Sequence, residues 1–346
     1  VLVYFVSGNP GLIDYYQPFL STLRALLESS QRQYGDNAVS IHLKGRDLAG
    51  FDDEDHDKPF TDANPPLSLE DQIRHVLADI SLTRVEVNGR RNGTAFDDVI
   101  IIGHSVGSFI TLEVFNRHLQ AHPEIKEVNL RAAILLFPTV TDIAKSPSGR
   151  KLDLIRSTPF LDRNAHRVAK GFVDLVPASI LHFVVRRVMG FPPHAADVTL
   201  RFLRSRDGIW QAIHMGKDEM RIIRDETWAE EIWEIAEEAA ERDRDVPKFF
   251  FFFGKGDHWV AEECRDEFIK RRHEHAQREG PGHKRGRTRI VLDEDDIPHA
   301  FCISESPFPN LSESLQEDLT MFLQTDHSEQ VAEKVAVWIG EVLDSL

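Results

Sequence analysis

A chain of 346 residues, 41% hydrophobic and 9% aromatic, has the make-up of an ordinary globular protein with room for one sizeable core. Its formal net charge of −16 argues against nucleic acid as a partner, because phosphates would repel such a surface. Only two cysteines occur, Cys264 and Cys302, without CxxC spacing, which excludes a disulfide framework and a cysteine-based zinc site.

The first element is expected at once. Val1–Val6 (VLVYFV) reads as a buried strand with no initiator Met or charged segment ahead of it, so a truncated N-terminus lacking earlier strands is expected. A helix follows over Tyr15–Leu27, a strand over Ala38–Leu43, and an acidic loop (FDDEDHDK) within Gly45–Pro66. Periodicity predicts a helix over Leu69–Val87, a strand over Val99–Ile102, a helix over Val106–Leu119 and a strand over Ala132–Phe137. From about Thr141 to Ala240 the alternation stops. Helical pieces punctuated by Pro147, Pro159, Pro177, Pro192 and Pro193 lead into a strongly acidic helix, ETWAEEIWEIAEEAAERDRD. Strand character returns in KFFFFFG, whose five phenylalanines would leave an exposed sheet with an apolar wet face, so this strand is placed inside the sheet. A basic, Gly-containing stretch, Gln277–Arg289, precedes the last strand, Thr288–Leu292.

Short apolar strands alternating with helices predict an α/β fold: a mostly parallel sheet with helices on both faces. The expected organisation is a first core segment, 1–140, a helical cap insertion, 141–240, and a second core segment, 241–346. No apolar run reaches the roughly 18 residues that span a bilayer. The nearest approach, Gly171–Phe191, is interrupted by Asp174, Pro177, His182, Arg186 and Arg187.

The chemistry concentrates where the strand at Val99 meets the next helix. Gly103-His104-Ser105-Val106-Gly107 matches G-x-S-x-G at a strand-to-helix turn, the context in which small flanking residues let a strained serine project at the carboxyl end of a sheet. The pentapeptide alone is also a common chance match; the flanking strand and helix are what favour a nucleophile. A serine needs a base, and in this architecture the order is serine, acid, histidine. Asp257, in the turn after the phenylalanine strand, is the leading acid, with Asp142 second. Asp257 also reads as an ordinary turn aspartate, and Asp142 lies at the entrance to the expected cap. His299, a few residues past the last strand, is the candidate base; a solvated loop histidine is the alternative. His104 is expected to point away from the nucleophile, and His258 directly follows the acid. Two backbone donors would hold a developing oxyanion: the Val106 N–H and, from the Gly8-Asn9-Pro10-Gly11 turn, the Asn9 N–H, since Pro10 has none. The scheme requires no metal and no cofactor.

These residues carry a resemblance. The segments GNPGLIDYYQPFL (8–20), SLEDQIRH (68–75), IIIGHSVGSFITLEV (100–114), LLFPTVTDIAKSPSGR (135–150), FFGKGDHWV (252–260) and DIPHAF (296–301) resemble the lipid droplet-associated hydrolases, serine hydrolases of the α/β-hydrolase superfamily. The proline-glycine loop together with the FPT…SP.GR segment is far more specific than the elbow. The resemblance implies the α/β-hydrolase fold, with the family's catalytic serine, aspartate and histidine falling on Ser105, Asp257 and His299. It implies carboxylic-ester hydrolysis of neutral lipids, sterol esters foremost, at the lipid droplet and endoplasmic reticulum surface. The acidic run 52–57 and the His/Arg-rich stretch 271–289 have no counterpart in the pattern. Two other readings stay open. One is a droplet-surface protein with a vestigial triad; the other is a thioesterase, peptidase or lipase sharing the mechanism. Phe172, Ile180, Phe183 and Val184, with Arg186, Arg187 and His182 among them, suit either a lipid monolayer or a buried cap helix pair lining an acyl pocket.

Overall fold

A computed structural model describes residues 1–34, 39–56, 58–86, 92–120, 122–123, 125, 127–224, 247–278, 288–303 and 327–346. Six strands form one fully parallel sheet: β1 (Leu2–Val6), β2 (His42–Gly45), β3 (Val99–His104), β4 (Leu130–Leu136), β5 (Lys248–Phe253) and β6 (Thr288–Leu292), ordered β2-β1-β3-β4-β5-β6. The second strand begins at His42 rather than at Ala38. It is one of the two edge strands, and its half-buried residues give the apolar pattern little hold.

Phe249–Phe253 shows why a run of one residue type specifies a strand here. Phe250 and Phe252 meet Trp338 of the helix His327–Leu343, with centroids 5.5 and 6.1 Å apart. Phe251 and Phe253 turn the other way onto Phe268 of the helix Glu262–Arg278, and Phe249 packs on Phe115 at 5.2 Å. Both faces are dry, so each ring contributes roughly 1.5–3 kcal/mol of burial. Phe115 belongs to α3 (Val106–Leu119), which is buried along most of its length, as a helix apolar on all sides must be. On the opposite face α1 (Gln17–Tyr34) buries Phe19, Leu23 and Leu27, spaced by one helical turn. The helix α2 (Leu69–Leu82) starts at a capping box, with Ser68 and Asp71 each satisfying the other's N–H. It stops five residues short of Val87, where Thr83 turns its hydroxyl back onto the Asp79 carbonyl at 2.6 Å.

Between β4 and β5 lie α4 (Pro147–Ser157), α5 (Pro159–Leu175), α6 (Ala178–Phe183) with a π-helical turn Val184–Val188, α7 (Pro193–Arg204) and α8 (Gly208–Ile222), with no strand among the described residues. The prolines are start signals: Pro147, Pro159 and Pro193 open helices, and Pro177 and Pro192 directly precede them. The acidic helix expected over 226–245, the boundary near 240 and most of the basic stretch fall outside the described residues. Among those described, no single helix is long and apolar enough to cross a membrane; α5 and Ala178–Val188, bent by 104°, reach that hydropathy only as a pair.

The register aligns the strand ends. Val6 pairs with Gly103, Gly103 with Leu135, Leu136 with Phe252 and Phe253 with Leu292. The loops leaving β1, β3, β4, β5 and β6 therefore emerge along one rim.

Candidate active site

On that rim Ser105 takes φ 55°, ψ −124°, a conformation that costs a non-glycine residue on the order of 1–3 kcal/mol. Its N–H is held by the Leu136 carbonyl at 2.9 Å, and the next turn is tied down by Ser108 Oγ donating to the Gly103 carbonyl at 2.9 Å. The flanking glycines permit the close approach. A Cβ on Gly107 would run into the Val6 carbonyl and lie 2.7 Å from the Ser7 oxygen; one on Gly103 would meet the Gly107 carbonyl and Thr111 Oγ1.

The structure brings Ser105, His299 and Asp257 together. His299 Nε2 lies 2.9 Å from Ser105 Oγ, and His299 Nδ1 lies 2.6 Å from Asp257 Oδ2. A carboxylate only accepts, so Nδ1 carries the proton and Nε2 is the acceptor facing the serine hydroxyl. Asp257 and His299 are buried, while Ser105 is half-exposed. The other Asp257 oxygen accepts the Trp259 N–H at 2.8 Å. Burial alone would push this carboxyl up; His299, the Trp259 N–H and His258 more than offset it and hold it below the usual carboxylate range. His299 is placed by its loop. Asp293 accepts the Ile297 N–H at 2.7 Å, and Phe301 anchors the next turn among Phe19, Tyr16 and Phe137. Asp142 lies elsewhere, paired with Lys145 at 2.6 Å.

The turn after β1 abuts the serine: a Cβ on Gly8 would sit 3.1 Å from Ser105 Cβ. Among the described residues neither the Asn9 N–H nor the Val106 N–H donates to another protein group. The Asn9 side-chain amide spends both hydrogens on α8, at the Ala212 carbonyl (3.1 Å) and Glu219 Oε1 (2.9 Å). Such an arrangement can deprotonate a hydroxyl, stabilise an imidazolium and offer N–H groups to an oxyanion.

Glu219 has no signal in the sequence beyond a charged position on a helix. It is buried, and that burial pushes its pKa up to about 7, against the lowering pull of the Asn9 bond and with a further push from Asp218. A raised carboxyl pKa makes its contribution to stability full below the unfolded value of about 4.3 and lost as pH rises through about 7. Glu219→Gln is therefore expected to gain on the native chain between pH 5 and pH 8 by on the order of 2 kcal/mol. Urea denaturation of both at the two pH values measures it; a pH-independent gap contradicts it.

For cations, Asp53, His56 and Asp207 bring ligand-type atoms within 4.8 Å of one another, but Arg206 already donates to the group, with Nε 2.7 Å from Asp207 Oδ2. The residues expected to touch lipid divide. Phe172, Ile180 and Phe183 are 69%, 52% and 60% exposed, whereas Val184 is half-buried beside the buried Val185. None of the residues of α5 is buried.

A family model for lipid-droplet associated hydrolases matches residues 1–302. The lipid droplet-associated hydrolase of Mus musculus is 26% identical over 316 residues, covering 88% of this chain and 81% of that protein. The Homo sapiens protein of the same name is 25% identical over 332 residues, covering 92% and 86%. A haloalkane dehalogenase loop variant from Bradyrhizobium elkanii superposes with a TM-score of 0.50 at 14% identity, over 99% of this chain and 90% of its own. At that identity the likeness speaks for the fold, which is that of the α/β-hydrolases.

Proposed function

This chain belongs to the lipid droplet-associated hydrolase family, and from that footing we propose that it is a serine carboxylic-ester hydrolase of neutral lipids, sterol esters foremost, working at the cytoplasmic face of lipid droplets and the endoplasmic reticulum. One observation carries the reading: an unbroken hydrogen-bond chain from Ser105 through His299 to Asp257. Ser105 Oγ attacks the ester carbonyl while His299 Nε2 takes its proton. Asp257 holds the imidazole in the acceptor tautomer and stabilises its cation. The Val106 and Asn9 N–H groups receive the oxyanion, each such donor being worth about 10²–10³ in rate. His299 returns the proton to the departing alcohol, and water then releases the acid from the acyl-enzyme by the same route.

The surface reading rests on α5 to the π-helical turn. Phe160, Phe172, Leu175, Ile180, Phe183 and Val188 are all exposed, with Arg186 and Arg187 close by in sequence. Apolar side chains beside cations suit the boundary between acyl chains and head groups. In this reading residues 141–224 form a cap that meets lipid with its outer face and carries α8 at its inner one.

A panel of sterol esters, triacylglycerols and short acyl esters, given to the native chain and Ser105→Ala, tests the chemistry. Sterol ester turnover that vanishes in the variant is expected; turnover of none of the esters overturns it, and droplet effects that survive in Ser105→Ala favour the surface-protein reading. For the surface, Phe172→Glu with Phe183→Glu is expected to lower partition onto phosphatidylcholine-coated triolein droplets about a hundredfold, two lost aromatic burials, with hydrolysis of a soluble ester unchanged. Undiminished flotation with the droplets contradicts it.

A further inference from the structure

His104 immediately precedes the serine, is buried, and is enclosed by the rings of Tyr16, Phe137 and Phe301. A buried imidazole in apolar surroundings must satisfy both nitrogens from the protein. Nε2 lies 2.9 Å from the main-chain carbonyl of His299. That oxygen only accepts, so Nε2 carries the proton and Nδ1 is an acceptor. At Nδ1, 2.8 Å away, is the Tyr16 hydroxyl, which must therefore donate. The Tyr16 oxygen in turn accepts the Gly8 N–H at 3.0 Å. Every link has one allowed direction: Gly8 N–H to Tyr16, Tyr16 O–H to His104, His104 N–H to the backbone of His299. Burial, with the charge of His299 nearby, lowers the His104 pKa to about 3, and burial raises that of Tyr16, so both partners stay neutral across the working range.

The two ends of this strap are informative. One is the residue before Asn9, the oxyanion donor of the proposed mechanism; the other is the backbone of the proposed base. The middle is covalently joined to the nucleophile. We propose that His104 and Tyr16 are positioning residues for acyl transfer: they lock the oxyanion turn and the histidine loop to each other beneath Ser105. The proposal rests on the esterase reading and deepens it. Neither residue touches a reacting atom. They act on distance, where a misplacement of about 1 Å costs about a hundredfold in rate.

The two histidine nitrogens can be replaced one at a time, which separates positioning from mere packing. Glutamine reaches the position of Nε2 and can still donate to His299; asparagine reaches only the position of Nδ1. The measurements are the second-order rate of labelling by a fluorophosphonate and kcat and KM on a soluble p-nitrophenyl ester, for the native chain, His104→Asn, His104→Gln and Tyr16→Phe. His104→Asn is expected to slow labelling and lower kcat about a hundredfold with KM unmoved. His104→Gln is expected to recover most of that loss, and Tyr16→Phe to cost about tenfold, the worth of one hydrogen bond. A labelled native chain whose three variants react at the native rate overturns the strap alone. So does an equal loss in Asn and Gln that merely follows a fall in melting temperature. An unlabelled native chain overturns the esterase reading, and the strap with it.

Discussion

Asp257→Asn is expected to lower kcat on a soluble ester about ten-thousandfold while leaving the fold intact. The cause is a tautomer. In the native chain Asp257 Oδ2 can only accept, which keeps the proton on His299 Nδ1 and the lone pair of Nε2 facing Ser105 Oγ. Asparagine can keep the Trp259 N–H bond through its carbonyl, so its amide NH₂ group would face His299. The imidazole then accepts at Nδ1 and presents a proton, not a lone pair, to the serine. Such an enzyme binds substrate as before but has no base, so the loss belongs to kcat and not to KM. Steady-state kinetics with a circular-dichroism melt check both halves. A kcat within about tenfold of native would mean the histidine is oriented by something else.

Gly107→Ala is expected to have the largest effect on stability of the changes considered, a loss of about 3 kcal/mol or more. Alanine improves helix propensity by up to about 1 kcal/mol, so the sign is set by packing. The added methyl would meet the main-chain oxygens of Val6 and Ser7, at the end of a strand hydrogen-bonded on both sides, and backbone so placed cannot yield as a side-chain tip can. Gly340→Ala is the control. It lies in the helix His327–Leu343 with nothing within 4 Å of a new Cβ, and is expected to stabilise by about 0.5–1 kcal/mol. Urea unfolding of the two variants measures the contrast. Equal effects would remove the steric account of the elbow.

How much of this was legible in the residues follows from how local each signal is. The phenylalanine strand announced itself because both its faces are dry, and α3 because an all-apolar stretch behind a G-x-S-x-G turn has few other places to go. The parallel α/β sheet followed from that alternation, and the α/β-hydrolase fold from the family resemblance. β2 was placed several residues early because its uniformly half-buried positions carry no burial contrast to mark where it starts. The overrun of α2 has another origin: apolar periodicity continues past Thr83, and the switch of Thr83 to extended backbone that ends the helix leaves no periodic trace. The meeting of Ser105, Asp257 and His299 could be read because each follows a strand, and parallel strands deliver their loops to one rim. Tyr16, His104 and Glu219 could not. Their hydrogen bonds depend on which atom faces which across 88, 195 or 210 residues of chain, and no motif encodes such a pairing. The apolar stretch 171–191 was ambiguous for a different reason: an amphipathic pattern reads alike on a core and on a lipid surface.

The proposed esterase depends on Ser105 being an activated nucleophile, and covalent capture addresses that without choosing a substrate. The native chain is incubated with a fluorophosphonate and the adduct located by peptide mass spectrometry, with Ser105→Ala run alongside. The account predicts one adduct, on Ser105, formed by the native chain and lost in a folded Ser105→Ala variant. A native chain that stays unlabelled, or a variant that labels as fast as native, contradicts it.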